Sequence, residues 1–323
     1  MKKFIINIVI WIGIPLGACI TLYVFLDPFR VVHPFDTAYF MEQSLGKTNR
    51  EYLSFHLYEN NKSTQQYNSF IIGSSRTCAL NSYQWKKYLG EEAIPFIWTS
   101  WRENILGIRQ KIEYLDREDT DIKNVLVVLD CGEQYSFNLS NGEAPLTNHY
   151  YKLSAQSAIR YQIDYFCAFL SKPTKIGDFI KDYRNINSII SIDTLANDSY
   201  CHNDTIQQCP QNNKANNLDQ KICQQESILP ALITPKIENE FWIIHDIFLR
   251  HKTQYKILIC PNFYNWKLNP SDLTILYNIF GETNIYDYSG VNKMAFENYH
   301  YSDIEHFNTN VGWRIIEDMY APQ

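Results

Sequence analysis

Residues 70–76 decide the fold of this chain, and they read Phe-Ile-Ile-Gly-Ser-Ser-Arg. Three consecutive apolar residues are typical of a short buried strand, and the glycine after them lets the backbone turn. Serine is favoured at the start of a helix, where its hydroxyl caps a backbone N–H. The stretch therefore predicts a strand that ends at Gly73, followed by a helix start that carries Ser74 and Ser75. A cap is also the plainest role for either serine.

The rest of the chain repeats this alternation of strands and helices. Further strands are predicted at residues 94–99, 125–129, 256–260 and 284–287. Helices are predicted at residues 102–118, 152–171, 176–188, 271–280 and 309–320, and around residues 237–248. The helical assignments rest on apolar residues that recur every three or four positions. Strands that alternate with helices predict an α/β fold, with a parallel sheet covered by helices on both faces.

The ends of the first three predicted strands indicate where a ligand could bind. Gly73, Thr99 and Asp130 stand at the carboxyl ends of the first three strands. In open parallel sheets, ligands bind in a crevice at the carboxyl ends of the strands. The sequence therefore predicts that these three segments converge on one crevice.

The amino terminus predicts a membrane anchor. Lys2 and Lys3 precede an uncharged, largely apolar run from residue 4 to residue 26, which is long enough for one transmembrane helix. The positive charges favour a cytoplasmic amino terminus and an extracytoplasmic domain, periplasmic or at the cell surface. A lipoprotein modified at Cys19 and a cleaved signal peptide are the alternatives. Residues 27–66 are then a juxtamembrane segment, and residues 67–323 the main domain.

Composition limits the partners of the domain. The chain has 323 residues, a formal net charge of −6 and eight cysteines. This charge argues against nucleic acid, whose binding needs clustered Lys and Arg. Residues 192–228 are polar and predict a solvated insertion, within which two of Cys201, Cys209 and Cys223 could form a disulfide. Their spacing matches no zinc motif, and we predict neither a metal nor a cofactor.

A second short string lies near the carboxyl terminus. Asp303 precedes His306 by three residues. A serine hydroxyl needs a base to take its proton, and a nearby carboxylate can hold that base in the right tautomer. Ser75, His306 and Asp303 are therefore candidates for nucleophile, general base and orienting residue. The bland alternative for His306 is a histidine next to the last helix.

In their order and spacing these strings resemble the SGNH/GDSL hydrolase superfamily, in particular its membrane-anchored, acyltransferase-like branch. The Gly-Ser-Ser string is similar to that of the teichoic-acid D-alanylation protein family, and Ser74 stands where many members carry Asp. The resemblance implies a flavodoxin-like three-layer fold with Ser75, Asp303 and His306 as catalytic residues. It also implies ester hydrolysis or acyl transfer on a cell-surface polysaccharide or similar polymer. A polysaccharide or acyl carrier would be the substrate, and a membrane acyltransferase a partner.

The middle of the chain departs from the family pattern. Residues 98–101 lack the glycine that supplies an oxyanion donor, and Asp130-Cys131-Gly132-Glu133 replaces Gly-x-Asn-Asp. Ser100, Arg76 or a backbone N–H could substitute as the donor. Ser74, Ser100 and Asp130 are the candidates for an oxyanion or auxiliary role, although Asp130 cannot donate a hydrogen bond while it is ionised. An inactive SGNH-like binding or assembly subunit of an envelope polymer complex is therefore the alternative function. A third alternative is an unrelated α/β domain, in which residues 75 and 306 lie far apart.

Other reactive side chains lack a supporting pattern. Cys131 has no matching histidine motif and is predicted to be a structural thiol. His300, Asp303 and His306 do not have the spacing of a common metal site. No spacing pairs the carboxylates of Glu133, Glu297 and Glu305 for glycoside cleavage.

Overall fold

The computed structural model describes residues 2–27, 29, 31–33, 49–130, 132–135, 150–154, 157–171, 190–193, 195–196, 198–201, 225–295, 301–302 and 304–322.

Five parallel strands form the central sheet. They are β1 (Ser69–Gly73), β2 (Pro95–Thr99), β3 (Asn124–Leu129), β4 (Gln254–Ile259) and β5 (Ile285–Asp287). Their order in the sheet is β2-β1-β3-β4-β5, and every pair of neighbours is parallel. This is one of the two common orders of doubly wound sheets, and the strand order reverses between β1 and β3. The predicted α/β fold with a parallel sheet is confirmed.

Eight helices of eight residues or more are described. They are α1 (Lys2–Leu26), α2 (Arg50–Gln65), α3 (Ser82–Leu89), α4 (Ile105–Arg117), α5 (Ala158–Ser171), α6 (Pro235–His251), α7 (Pro270–Phe280) and α8 (Thr309–Tyr320). Side chains cap the amino ends of six of them: Asn49, Asn81, Asn104, Thr234, Asn269 and Asn308. These caps explain several observed boundaries, because a capping residue holds the first free N–H groups. For example, α4 begins at residue 105 rather than at the predicted 102.

Helices pack on both faces of the sheet. Successive strand residues point to opposite faces, so Phe70 and Ile72 join one apolar cluster while Ile71 joins the other. The first cluster includes buried residues of α2, α4, α6 and α7. The second includes buried residues of α3 and α8. Strands β1, β2 and β3 are therefore buried on both sides, which explains why these strands consist mostly of apolar residues.

Helix α2 is part of this core, although sequence analysis placed its residues in the juxtamembrane segment. Leu53 and Leu57 are fully buried in the first cluster. The Ser54 hydroxyl donates a hydrogen bond of 2.9 Å to the carbonyl of Thr99, at the end of β2. The helical spacing of its buried residues is hard to recognise in the sequence, because Tyr, His and Asn lie among the aliphatic residues of this helix. The packed domain thus includes residues well before residue 67.

Helix α1 is 25 residues long, contains an 18-residue stretch with a mean hydropathy of 2.2, and is long and apolar enough to cross a membrane. Its apolar side chains are mostly exposed, unlike those of a core helix. The helix ends at Asp27, whose backbone is left-handed with φ of 37°. The Asp27 carboxylate accepts hydrogen bonds of 2.9 Å from the N–H groups of Val31 and His33. These bonds turn the chain sharply at the end of the apolar run.

Part of the predicted polar insertion forms a hairpin. Strands Ile190–Asp193 and Asp198–Cys201 pair antiparallel, and the carbonyl of Ala196 accepts a bond of 2.9 Å from the N–H of Ile97. The hairpin connection thus reaches the free edge of β2. The predicted helix at 176–188, most of the insertion, Cys131, Cys209, Cys223 and the side chain of Cys201 lie outside the described residues.

Candidate functional site

The site begins at the carboxyl end of β1, where Gly73 touches β3. A Cβ at this position would lie 2.5 Å from the carbonyl oxygen of Val128 and 2.8 Å from its Cβ. Real Cβ contacts are not this short, so only glycine fits between the two strands. The close approach brings the chain after β1 directly onto the switch point of the sheet.

Ser74 shapes the turn that follows. Its side chain is buried and caps the short 3-10 helix Ser75–Ala79. Its carbonyl accepts hydrogen bonds from the hydroxyls of Thr77, at 2.9 Å, and Thr99, at 3.2 Å. The capping role expected for a serine here thus belongs to Ser74, and Ser75 is left half-buried at the first position of the helix.

The segment before α8 supplies the partner of Ser75. Tyr301 and Phe307 form an isolated antiparallel bridge, and both side chains are buried. The N–H of Ser302 donates a bond of 2.8 Å to the carbonyl of His306. Asn308 then caps α8. His306 is therefore held between an anchored loop and a helix start.

Ser75 and His306 meet across the site. The Ser75 Oγ lies 2.7 Å from the His306 Nε2, although the two residues are 231 positions apart in the chain. This distance is that of a good hydrogen bond. With Nε2 unprotonated, the imidazole can accept the serine proton, which is the first requirement for a serine nucleophile.

Asp303, the predicted orienting residue, lies outside the described residues, as does His300. Its relation to His306 stays a prediction. Among the residues that the structure describes, no three His, Cys, Asp or Glu side chains form a group able to hold a metal ion.

Arg76 connects three strand ends around the site. Its Nε lies 3.5 Å from the carboxylate of Asp130, directly after β3. Its guanidinium also donates a bond of 3.1 Å to the carbonyl of Pro261, just after β4. The expected convergence of strand ends thus includes β4, whose part in it sequence analysis missed. The feature of the sequence that could have indicated this contact is the basic residue Arg76, directly after Ser75.

Ser100 belongs to a different cluster. Its N–H donates to the carbonyl of Gly73 at 3.2 Å. Its hydroxyl accepts a bond of 2.7 Å from Lys111 and donates one of 3.4 Å to Glu51. Both donors are therefore engaged, and Ser100 does not have the free donor that the predicted oxyanion role needs. Asp130 is likewise held by Arg76 as a carboxylate.

Lys111 is the centre of this second cluster and is fully buried. Its ammonium contacts the carboxylates of Glu51, at 3.3 Å, and Glu103. Burial lowers the pKa of Lys111 to about 8, against the opposing effect of Glu51. This cluster was not predicted from the sequence, although Lys111 has the helical spacing of Ile108, Ile112 and the other inward residues of α4. The feature of the sequence that could have indicated the cluster is a lysine on the apolar face of a helix.

A cleft of about 220 Å³ lies at the other end of the sheet. It is lined by residues that precede β1 and β3 or end α2: Tyr58, Lys62, Gln66, Tyr67, Glu118, Thr120 and Asp121. Ligands of doubly wound sheets bind at the carboxyl rather than the amino ends of strands. We therefore take the Ser75–His306 pair, not this cleft, as the candidate site.

No protein-family model, curated protein or solved structure matches this chain.

Proposed function

We propose that this protein is a membrane-anchored, extracytoplasmic serine esterase or O-acyltransferase with an SGNH-like domain. Its substrate would be an acylated cell-surface polysaccharide or a similar polymer. The proposal is carried by one observation, the 2.7 Å contact between Ser75 Oγ and His306 Nε2 at the carboxyl ends of the strands.

In the first half-reaction, the Ser75 oxygen attacks the carbonyl carbon of an ester while His306 Nε2 takes the hydroxyl proton. The tetrahedral intermediate then collapses, and the alcohol leaves with the proton that His306 returns to it. The acyl group remains on Ser75. In the second half-reaction, His306 deprotonates water or a polymer hydroxyl, which attacks the acyl-serine and releases an acid or a new ester.

A negative charge develops on the carbonyl oxygen in both half-reactions and needs donors. The N–H of Ser75 belongs to the first turn of the helix Ser75–Ala79, where backbone N–H groups have no acceptor within the helix. We assign this N–H to the oxyanion. Asp303 would keep the proton of His306 on Nδ1, so that Nε2 carries no proton and can accept the one from Ser75.

The SGNH-like fold and the location rest on separate support. The strand order, the helices on both faces, and the serine after β1 are those that the resemblance implies. Helix α1, which begins with Lys2 and Lys3, supports an anchor with the domain outside. The polymer substrate rests on the resemblance and the anchor together, since an anchored domain meets polymers as they are exported.

A second candidate function is an inactive SGNH-like binding or assembly subunit of an envelope polymer complex. It is favoured by Ser100, whose donors are engaged with Gly73 and Glu51, and by Asp130, whose carboxylate is held by Arg76. A site with one oxyanion donor would stabilise the intermediate poorly, because removing one donor costs enzymes about 10²–10³ in rate.

A fluorophosphonate probe separates these candidates, because it labels only activated serines. The full chain in detergent is compared with Ser75→Ala, His306→Ala and Asp303→Asn. Ser302→Ala serves as the matched control, since this serine is exposed on the loop that carries His306. We expect labelling of the wild type and the control, none of Ser75→Ala, and strong losses in the other two variants.

Folding of every variant is checked by circular dichroism before labelling. A folded wild type without labelling, or labelling that persists in Ser75→Ala, would contradict the catalytic proposal and favour the binding subunit.

A further inference from the structure

Helix α5 exposes an unusual apolar stripe. Ile159, Ile163 and Leu170 are 75%, 48% and 47% exposed. Cys167 is exposed between them. At 100° per residue, these four side chains fall within one narrow sector of the helix. A soluble surface rarely shows a row of large aliphatic side chains, and such a row marks an interaction surface.

The opposite face of α5 is already used. Tyr161, Tyr165 and Phe169 are buried in the main apolar cluster. The Tyr165 hydroxyl accepts a bond of 2.7 Å from the side chain of Asn49, which caps α2. The helix is thus fixed to the domain by one face, and the stripe is a second apolar face directed away from the core.

The same helix is attached to the end of α1. The ring of Tyr23 lies 5.5 Å from that of Phe166 and 5.6 Å from that of Phe169. Gln162 links α5 both to α1 and to the segment that follows α1. It accepts a hydrogen bond of 3.1 Å from the Tyr23 hydroxyl and donates one of 2.8 Å to the carbonyl of Val31. Tyr23 is three residues from the last residue of α1, which at a rise of about 1.5 Å per residue is about 4.5 Å along the helix.

We propose that α5 lies in the lipid–water interface, with the stripe of Ile159, Ile163, Cys167 and Leu170 among the outer acyl segments of the bilayer. Interfacial helices bury their apolar face about 5–10 Å into the headgroup and acyl boundary, and the contact with Tyr23 places α5 within one helical turn of the end of the apolar run. The side of α5 next to the stripe is polar, as expected for an interfacial helix: Arg160 and Asp164 form a salt bridge of 3.0 Å there. The proposal rests on the anchor in the proposed function, and is independent of its chemistry.

The contact has a consequence for the substrate. The Tyr165–Asn49 bond joins α5 to the amino end of α2, and Ser54 in α2 binds the carbonyl of Thr99 at the carboxyl end of β2. The bilayer would therefore lie on the side of the sheet edge that carries Ser75. An acyl group or polymer presented at the membrane surface reaches that edge without leaving the interface, which favours a membrane-associated acyl donor.

Depth-dependent quenching in nanodiscs tests the proposal. An NBD fluorophore is attached to a single introduced cysteine in the full chain, in a background in which all eight native cysteines are replaced by serine or alanine and whose folding is checked by circular dichroism. Ile163→Cys reports the stripe, Arg160→Cys reports the polar flank of the same helix, and Leu16→Cys reports α1. Phosphatidylcholine nanodiscs are prepared with and without lipids that carry a nitroxide near the headgroup or deep in the acyl chain.

We expect shallow nitroxides to quench the probe at residue 163 about twofold or more, with little effect at residue 160. The deep nitroxides should quench residue 16. Quenching at 16 without quenching at 163 would overturn the interfacial helix and leave the anchor intact. Absence of quenching at both would overturn the anchor and this inference together. A blue-shifted, unquenched probe at 163 would mean that protein covers the stripe, which also overturns the proposal.

Discussion

Gly312, in the first turn of α8, lies so close to the backbone of Ala79 that no side chain fits between them. A Cβ at Gly312 would collide with the carbonyl oxygen of Ala79 and lie 2.8 Å from its carbonyl carbon. Ala79 ends the short helix that starts at Ser75, and Gly312 follows His306 by six residues. This contact therefore packs the helix that begins at Ser75 directly against the helix that follows His306.

We predict that Gly312→Ala pushes α8 away from the helix Ser75–Ala79. Forcing a methyl group into packed atoms costs about 1–3 kcal/mol, and the displaced histidine should slow fluorophosphonate labelling by about tenfold. Thermal unfolding and labelling rate measure the two effects. Gly132→Ala is the control, because a Cβ there meets no atom within 4 Å. Equal behaviour of the two variants would contradict the role of this contact.

Arg76→Ala should loosen the site without removing its chemistry. The guanidinium contacts Asp130 and the carbonyl of Pro261, so its loss removes the cation from a carboxylate near the serine. We expect a stability loss of about 1–3 kcal/mol from the broken bonds, and labelling slowed more than in Arg76→Lys, which keeps the charge. Urea unfolding and labelling rate are the measurements. Full labelling by the alanine variant would show that the bridge between strand ends does not position Ser75.

The stability of the domain should depend on the protonation of His56. Burial among the rings of Tyr52 and Tyr150, with a smaller effect of Lys152, lowers the pKa of His56 from 6.5 to about 4. Between these pH values the unfolded chain binds a proton at this position that the folded chain does not. Stability contributed by the neutral ring is therefore complete above pH 6.5 and is lost as the pH falls to 4.

The loss should be about 2 kcal/mol after allowance for partial exposure of the ring. Urea unfolding of the wild type and His56→Gln at a series of pH values isolates it, since carboxylates such as Asp116, whose pKa is lowered by His251 and Arg250, contribute equally to both. A difference between the two proteins that stays constant from pH 7 to pH 4 would rule out this assignment.

Lys111→Met should be among the most destabilising single changes. It keeps the apolar stem but leaves the buried carboxylates of Glu51 and Glu103 without their cation. Breaking a buried ion cluster on one side costs about 3–5 kcal/mol. Lys123→Met is the matched control, because Lys123 is 47% exposed and its surface pairs contribute less than about 1 kcal/mol. Similar denaturant midpoints for the two variants would be the contrary result.

Much of the fold was accessible to sequence reasoning because its signals are local. The apolar runs of β1 and β3 and the spacing of α4 each arise within a few residues, and the structure has these elements within three residues of the predicted ends. Helix α2 was not predicted as part of the core, because its local pattern does not show which face is buried. Its inward face mixes Leu with Tyr and Phe, and only its contact with β2 reveals that the face is buried.

In the candidate site, too, some residues could be predicted from the sequence and some contacts could not. Ser75 and His306 were singled out by their neighbours in the chain, while the engagement of Ser100 with Lys111 was not, because it depends on which helix covers which strand. The contact of Tyr23, near the end of α1, with Gln162 in α5 could not be predicted either, since these residues lie 139 positions apart in the chain.

The sequence by itself determined the alternation of strands and helices, the apolar amino-terminal helix and the serine and histidine strings, because hydrophobic periodicity and capping preferences act over a few residues. The tertiary structure alone decided the strand order, the 2.7 Å approach of Ser75 to His306, the contact of Gly312 with Ala79 and the attachment of α5 to α1. These depend on close packing between segments distant in the chain, where the available space, rather than the local pattern, selects the neighbours.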